Sequence, residues 1–116
     1  MFLFFKKHFS KFSFTSEDSK DEVLKPIYLK GSLSLYFKKI TEYLKRKENI
    51  SNLIIREDYN EIYYVENNDF EISLLFSQNE NKTIISSHVK SRRIGQSYKK
   101  LISVLNETKT ALGVNK

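Results

Sequence analysis

Arg92, Arg93, Gly95, Gln96, Ser97, Lys99 and Lys100 stand together at the start of a stretch with helical apolar spacing. A helix start offers free N–H groups and the positive end of the helix dipole. With Arg92, Arg93, Lys99 and Lys100 added, the chemistry suggested is the binding of a phosphate or a nucleic-acid backbone. A second basic run, Lys45, Arg46 and Lys47, closes an earlier helical stretch that also carries Lys38 and Lys39. Cations at a helix C-terminus compensate the dipole, which is the simpler reading of that run. Together the two runs form a candidate anion or nucleic-acid surface, which requires binding that weakens steeply with salt.

Other chemistries are poorly provided for. The carboxylate pairs Glu57 with Asp58 and Asp69 with Glu71 lie near hairpin turns, where carboxylates sit in water rather than in a cleft. The two histidines, His8 and His88, have no Ser/His/Asp setting and no nucleophile elbow around them. With no cysteine, the chain has neither a thiolate zinc site nor a cysteine nucleophile, and it suits a reducing, intracellular compartment, cytoplasm or organellar matrix. No phosphate loop, dinucleotide glycine fingerprint or metal-ligand spacing is present. The expectation is no catalytic residue, no metal, no cofactor and no enzymatic activity. Tyr59, Tyr63 and Tyr64 could stack bases, but the acidic company of Glu57, Asp58, Glu61, Glu66, Asp69 and Glu71 repels a phosphate backbone. Cross-strand aromatic packing is favoured for them.

Residues 1–14 (MFLFFKKHFSKFSF) hold a different kind of site. Phe2, Phe5, Phe9 and Phe12 recur at helical spacing, with Lys6, Lys7 and Lys11 off that stripe. Such a basic amphipathic helix can contact a partner protein, dock on the domain itself, or lie in a membrane surface. Residues 15–22 (TSEDSKDE) read as a polar linker, which divides the chain into an N-terminal segment, 1–22, and a single domain, 23–116.

The elements that position these groups follow from periodicity. Residues 53–56, 62–65, 70–76 and 83–89 are rich in β-branched and aromatic side chains and are separated by turn formers at hairpin spacing. In the third, Phe70, Ile72, Leu74 and Phe76 share one face, against Glu71, Ser73 and Ser77. Pro26 confines residues 23–30 to an edge strand. A helix over 32–47 carries the stripe Leu33, Tyr36, Phe37, Ile40, Tyr43 and Leu44, with Ser32 as N-cap. The last helix begins at Ser91 or Ile94 and ends at Leu112, with the stripe Ile94, Tyr98, Leu101, Ile102, Leu105 and Leu112, and Gly113 stands at C′.

The fold expected is α+β: an antiparallel meander of four strands, five if residues 23–30 pair, flanked in sequence by an N-terminal and a C-terminal helix packed on one sheet face. The formal net charge of +6 is concentrated in the helices, while the hairpins are acidic. No apolar run reaches the roughly 18 residues of a membrane span. The leading functional expectation is a non-catalytic small binding protein, a subunit or adaptor that meets a protein partner through its acidic hairpin face or its Phe-rich N-terminus. Nucleic-acid or ribonucleoprotein binding through the basic helices is the alternative, and membrane attachment through residues 1–14 is a further one.

Overall fold

A computed structural model describes residues 12–15, 25–92 and 95–113. Its elements are β1 (Phe12–Phe14), β2 (Ile27–Lys30), α1 (Leu33–Arg46), β3 (Ile50–Arg56), β4 (Glu61–Glu66), β5 (Phe70–Asn79), β6 (Lys82–Ser91) and α2 (Ser97–Ala111). The fold is α+β, with a five-column antiparallel sheet and a helix before and after the meander. Strands β3, β4, β5 and β6 pair in sequence order.

The fifth column is shared. β2 pairs with β6 from Ile27 opposite Ile85 to Lys30 opposite Lys82, and β1 pairs with the same edge from Phe12 opposite Lys90 to Phe14 opposite His88. Thr15 continues the β1 pairing: its N–H donates to the Ser87 carbonyl at 2.9 Å, and its Oγ1 accepts from the Ser87 N–H at 2.8 Å. The two strands thus run head to tail along β6. This corrects two expectations. Phe12–Phe14 is a strand and not the end of an amphipathic helix, because the unpaired N–H and C=O groups of β6 are satisfied there. Thr15 is buried in the sheet rather than part of a solvated linker.

The hairpin turns owe their shape to residues that tolerate a left-handed backbone. In the three-residue β4–β5 loop, Asn67 and Asn68 both take positive φ, at 55° and 58°, as the central residues of a type I′ turn closed by the Asp69 N–H on the Glu66 carbonyl at 3.1 Å. Asn52, at φ 53°, sits at a bulge in β3, which starts at Ile50, three residues before the residue 53 that its spacing predicts. Between β2 and α1, Gly31 has φ 124°, and a Cβ there would stand 3.2 Å from the Tyr36 hydroxyl. The Tyr36 hydroxyl donates to the Lys30 carbonyl beside it.

Ser32 occupies the N-cap position of α1 but makes no side-chain cap bond. Gln78 on β5 does that work, its Oε1 accepting from the Leu33 N–H at 2.8 Å while its Nε2 donates to the Gly31 carbonyl at 3.2 Å. The helix α2 starts later than its spacing predicts. Ser91 still belongs to β6, paired with Phe70, so Arg92 precedes the helix by a loop. At its other end Gly113 has φ 78° and donates to the Thr110 carbonyl, as expected of C′.

Both helices contact β6 and each other, so they share one face of the sheet. The core beneath them holds Ile40 and Leu44 of α1, Leu101, Val104 and Leu105 of α2, and the inward rows of the strands: Ile62 and Tyr64, Ile72, Leu74 and Phe76, Ile85 and Val89, Ile27 and Leu29. Phe37 meets Phe76 edge to face at 5.1 Å. Tyr64 lies in this core, and cross-strand packing accounts for it. Strand alternation, period two, sends every second residue to the outer face, away from both helices.

Candidate functional site

Alternation along β4 puts Glu66 on the inner face with Ile62 and Tyr64, at the end of the strand, and it is 1% exposed. The sequence reading groups it with the exposed hairpin acids, and its burial corrects that. A carboxylate in that position needs partners, since burying an unpaired charge costs several kcal/mol. Two arrive from the helices. Lys47, the residue that ends α1, and Lys100, in the first turn of α2, both place Nζ on Glu66. Lys47 also reaches Glu107 of α2, at 2.6 and 2.7 Å from the two carboxylate oxygens. The Tyr43 hydroxyl donates to Glu107 at 2.6 Å. Lys100 also lies 5.2 Å from the centre of the Phe70 ring, within cation–π range.

Two ammonium groups thus face two carboxylates, and the cluster is charge-neutral. It ties the C-terminus of α1, the end of β4 and two turns of α2 to one point. Burial pushes the Lys100 ammonium below its ordinary value, and the neighbouring Lys47 adds to that, with Glu107 opposing. Burial alone would raise the Glu107 carboxyl, but hydrogen bonds from Lys47 and Tyr43 and the charges of both lysines outweigh it, so its pKa is lowered. Burial, then the hydrogen bond to Glu107, push the Tyr43 hydroxyl up to about 12.

The signs set a pH dependence of stability. Glu107 protonates near 4.5 when unfolded and lower when folded, so the unfolded chain binds the extra proton and stability falls as pH drops below about 4.5. Tyr43 loses its proton near 10.0 unfolded and near 12 folded, so stability falls again as pH rises between them. Lys100 works against the alkaline loss: its folded pKa lies below the ordinary 10.5, so stability rises with pH across that gap. Urea midpoints measured from acid to alkali should therefore fall at both ends. Glu107→Gln should flatten the acid limb and Tyr43→Phe the alkaline limb.

A lysine with a lowered pKa can serve as a nucleophile or base when substrate reaches it. Here each Nζ is engaged by a carboxylate. A cleft of about 450 Å³ opens beside the cluster, lined by Lys39, Glu42, Tyr43 and Arg46 of α1 and by residues 110–113. It meets the cluster only through Tyr43. The arrangement is suited to fixing helices on a sheet.

The candidate anion residues are therefore divided. Lys47 and Lys100 turn inward to Glu66, whereas Lys45, Arg46, Arg92 and Lys99 are exposed. Arg93 lies outside the described residues. Of the N-terminal set, Phe2, Phe5 and Phe9 lie outside them as well, and Phe12 is placed by its backbone in β1.

The outer face is the other surface with functional potential. Cross-strand register lines up Ile54, Tyr63, Ser73 and His88 in one row, and Arg56, Glu61, Leu75 and Ser86 in the next. Beyond them Ser77, Ile84 and Tyr28 align. Tyr28, Ile54 and Leu75 are 46%, 42% and 48% exposed. The Tyr63 hydroxyl donates to Glu71 at 3.1 Å, and burial with that carboxylate raises its pKa. Acidic groups, Glu61 and Glu71, lie on the β4–β5 half, and Lys30, Lys82, His88 and Lys90 lie toward the β6 edge. No described helix is long and apolar enough to cross a membrane. No protein-family model, no curated protein and no solved structure matches the chain.

Proposed function

We propose that this protein is a non-catalytic binding protein, a small subunit or adaptor, that docks a protein partner on the outer face of its sheet. Antiparallel sheets often leave one face in water, so an open face alone says little. The observation that carries the reading is that Tyr28, Ile54 and Leu75 are between 42% and 48% exposed on that face. Five strand columns at roughly 4.8 Å spacing, with strands of about seven residues, give a surface on the order of 600 Å². That approaches the ~800 Å² per partner of a standard interface. The partner should present an apolar centre, with a basic patch toward Glu61 and Glu71 and an acidic one toward the β6 edge.

Affinity purification of the full-length protein from its native cells, with and without nuclease, tests this alongside a Leu75→Glu variant. Defined proteins should survive nuclease and fall about tenfold in recovery with Leu75→Glu, the effect of one central contact worth ~1.4 kcal/mol. The thermal midpoint should not change, because Leu75 is solvent-facing. Recovery that is indifferent to Leu75→Glu sinks the reading.

Nucleic-acid binding is the second reading, favoured by the exposure of Lys45, Arg46, Arg92 and Lys99. Nuclease-sensitive recovery of RNA or DNA, lost on replacing Lys45 and Arg46, would support it instead. Membrane attachment would have to rest on residues 1–11, since residues 12–14 belong to the sheet.

A further inference from the structure

We propose that the β2–β6 edge of the outer face binds single-stranded nucleic acid, with Lys30 and Lys82 holding the phosphate backbone and Tyr28 stacking a base. Lys30 and Lys82 stand directly opposite each other across the β2–β6 ladder, and both are exposed. Like charges in that position destabilise an antiparallel pair. Neither lysine makes an ion pair among the described residues. The backbone holds them there all the same. The Lys30 carbonyl accepts from the Tyr36 hydroxyl, the Gly31 N–H donates to the Asn81 carbonyl at 2.7 Å, and Gln78 Nε2 donates to the Lys82 carbonyl at 3.0 Å. The repulsion between two cations fixed in this way, with no acid paired to either, is relieved by anionic groups brought against both.

Tyr28 makes the anion a nucleic acid rather than a lone phosphate. It lies two residues before Lys30 on the same face, roughly 7 Å along the strand, and is 46% exposed beside Ile84. An exposed aromatic ring next to cations suits a single strand, whose bases stack on the ring while its backbone follows the charge. In a duplex the bases are already stacked on one another, so the ring has no free base to receive. From Lys82 the outer side of β6 continues through Ser86 and His88 to Lys90, with Arg92 exposed beyond it, a track of roughly 34 Å. The acids that turn phosphate away from Tyr59 and Tyr63 act weakly at this edge. Glu61 lies on β4, three strand spacings or roughly 14 Å from β2, beyond the Debye length of about 8 Å at physiological salt. Glu71 on β5 is nearer the track, and its carboxylate accepts from the Tyr63 hydroxyl on the β4 side.

This site depends neither on a docked partner nor on the helix cations. Docking is read by protein recovery that survives nuclease, and the β2–β6 site by oligonucleotide binding to the purified protein, so either can fail alone. Fluorescence anisotropy of a labelled oligouridylate of about 12 nucleotides with the full-length protein tests it, with an oligothymidylate and a duplex of the same length alongside. One or both single strands should bind in preference to the duplex. Tyr28→Ala should weaken that binding about tenfold, and Tyr28→Phe should retain it. Lys30→Gln combined with Lys82→Gln should lower the slope of log affinity against log salt by about 1.4, as expected for two phosphates no longer neutralised on a single strand. The same double variant should unfold at a thermal midpoint no lower than that of the unsubstituted protein, because a repulsion has been removed. The charge-matched pair Lys45→Gln with Arg46→Gln on α1 should leave the salt slope unchanged. An equal loss of slope in the α1 variant, binding indifferent to Tyr28→Ala, a duplex bound as tightly as the single strands, or no binding of either single strand overturns the proposal.

Discussion

Glu66→Ala is expected to destabilise the fold by about 3–5 kcal/mol, the usual penalty for removing one partner of a buried ion pair. The side chain it removes is 1% exposed and is shared by Lys47 and Lys100. Lys47 keeps Glu107, but Lys100 is left beside the Phe70 ring and a second ammonium group with its carboxylate contact gone. Against a typical total of 5–15 kcal/mol, such a loss leaves a marginal protein. A urea titration should show the midpoint collapsing, with a thermal midpoint lower by on the order of 10 °C or more.

The size of that effect does not mean that the cluster stabilises by as much. Desolvating four charged groups consumes most of what their attraction returns, and well-packed apolar replacements for buried ion pairs are often neutral or better. Glu66→Leu combined with Lys100→Met should therefore recover most of what Glu66→Ala loses, and the double-mutant cycle should show coupling well above 1 kcal/mol. What the cluster supplies is placement. Glu66 accepts a cation from each helix, so α1 and α2 can sit in only one register on the sheet. If the double replacement is as unstable as Glu66→Ala, the destabilisation comes from the loss of the ion-pair contacts themselves and neither from an orphaned charge nor from a cavity, since leucine and methionine refill the space.

Much of the fold was legible because period two and period 3.6 are strong local signals. Phe70, Ile72, Leu74 and Phe76 alternate as written, and Asn67-Asn68 announces its own turn. Boundaries were less legible where a neighbour decides them. Gln78 caps a helix 45 residues away in sequence, and β6 recruits Phe12–Phe14 from a stretch whose own spacing is helical. The cluster was hidden for a related reason. Lys47 is the third cation of a helix-end run, and Glu66 is one acid among several near a hairpin. Nothing local separates them from Arg46 or Asp69. The one available clue was strand parity: in Ile62-Tyr63-Tyr64-Val65-Glu66, Glu66 shares a face with Ile62 and Tyr64. A charged residue on the buried side of a strand calls for a cation from whatever packs above it, and the ends of two basic helices are where such cations lie.

Leu101→Ala should cost about 2–5 kcal/mol, the range for truncating a fully buried leucine. Leu101 is 0% exposed and packs into the core from the second turn of α2, a helix that lies against the β6 side of the sheet. The inner face of β6 carries Ser87 and Ser91 among its apolar residues, both buried, so few large side chains are there to slide into the gap. A site that cannot collapse puts the cost toward the upper end of that range. Leu101 adjoins Lys100 on the same helix, which makes the two losses interdependent. Weakening the apolar seat of α2 also loosens the placement of Lys100 and Glu107 around Glu66. Leu101→Ala combined with Glu66→Ala should therefore fall short of the sum of the single effects, since the second change removes contacts the first has already slackened. Urea unfolding of the two single variants and the double variant reads this directly. Strict additivity would mean that the charged cluster holds α2 independently of its apolar face.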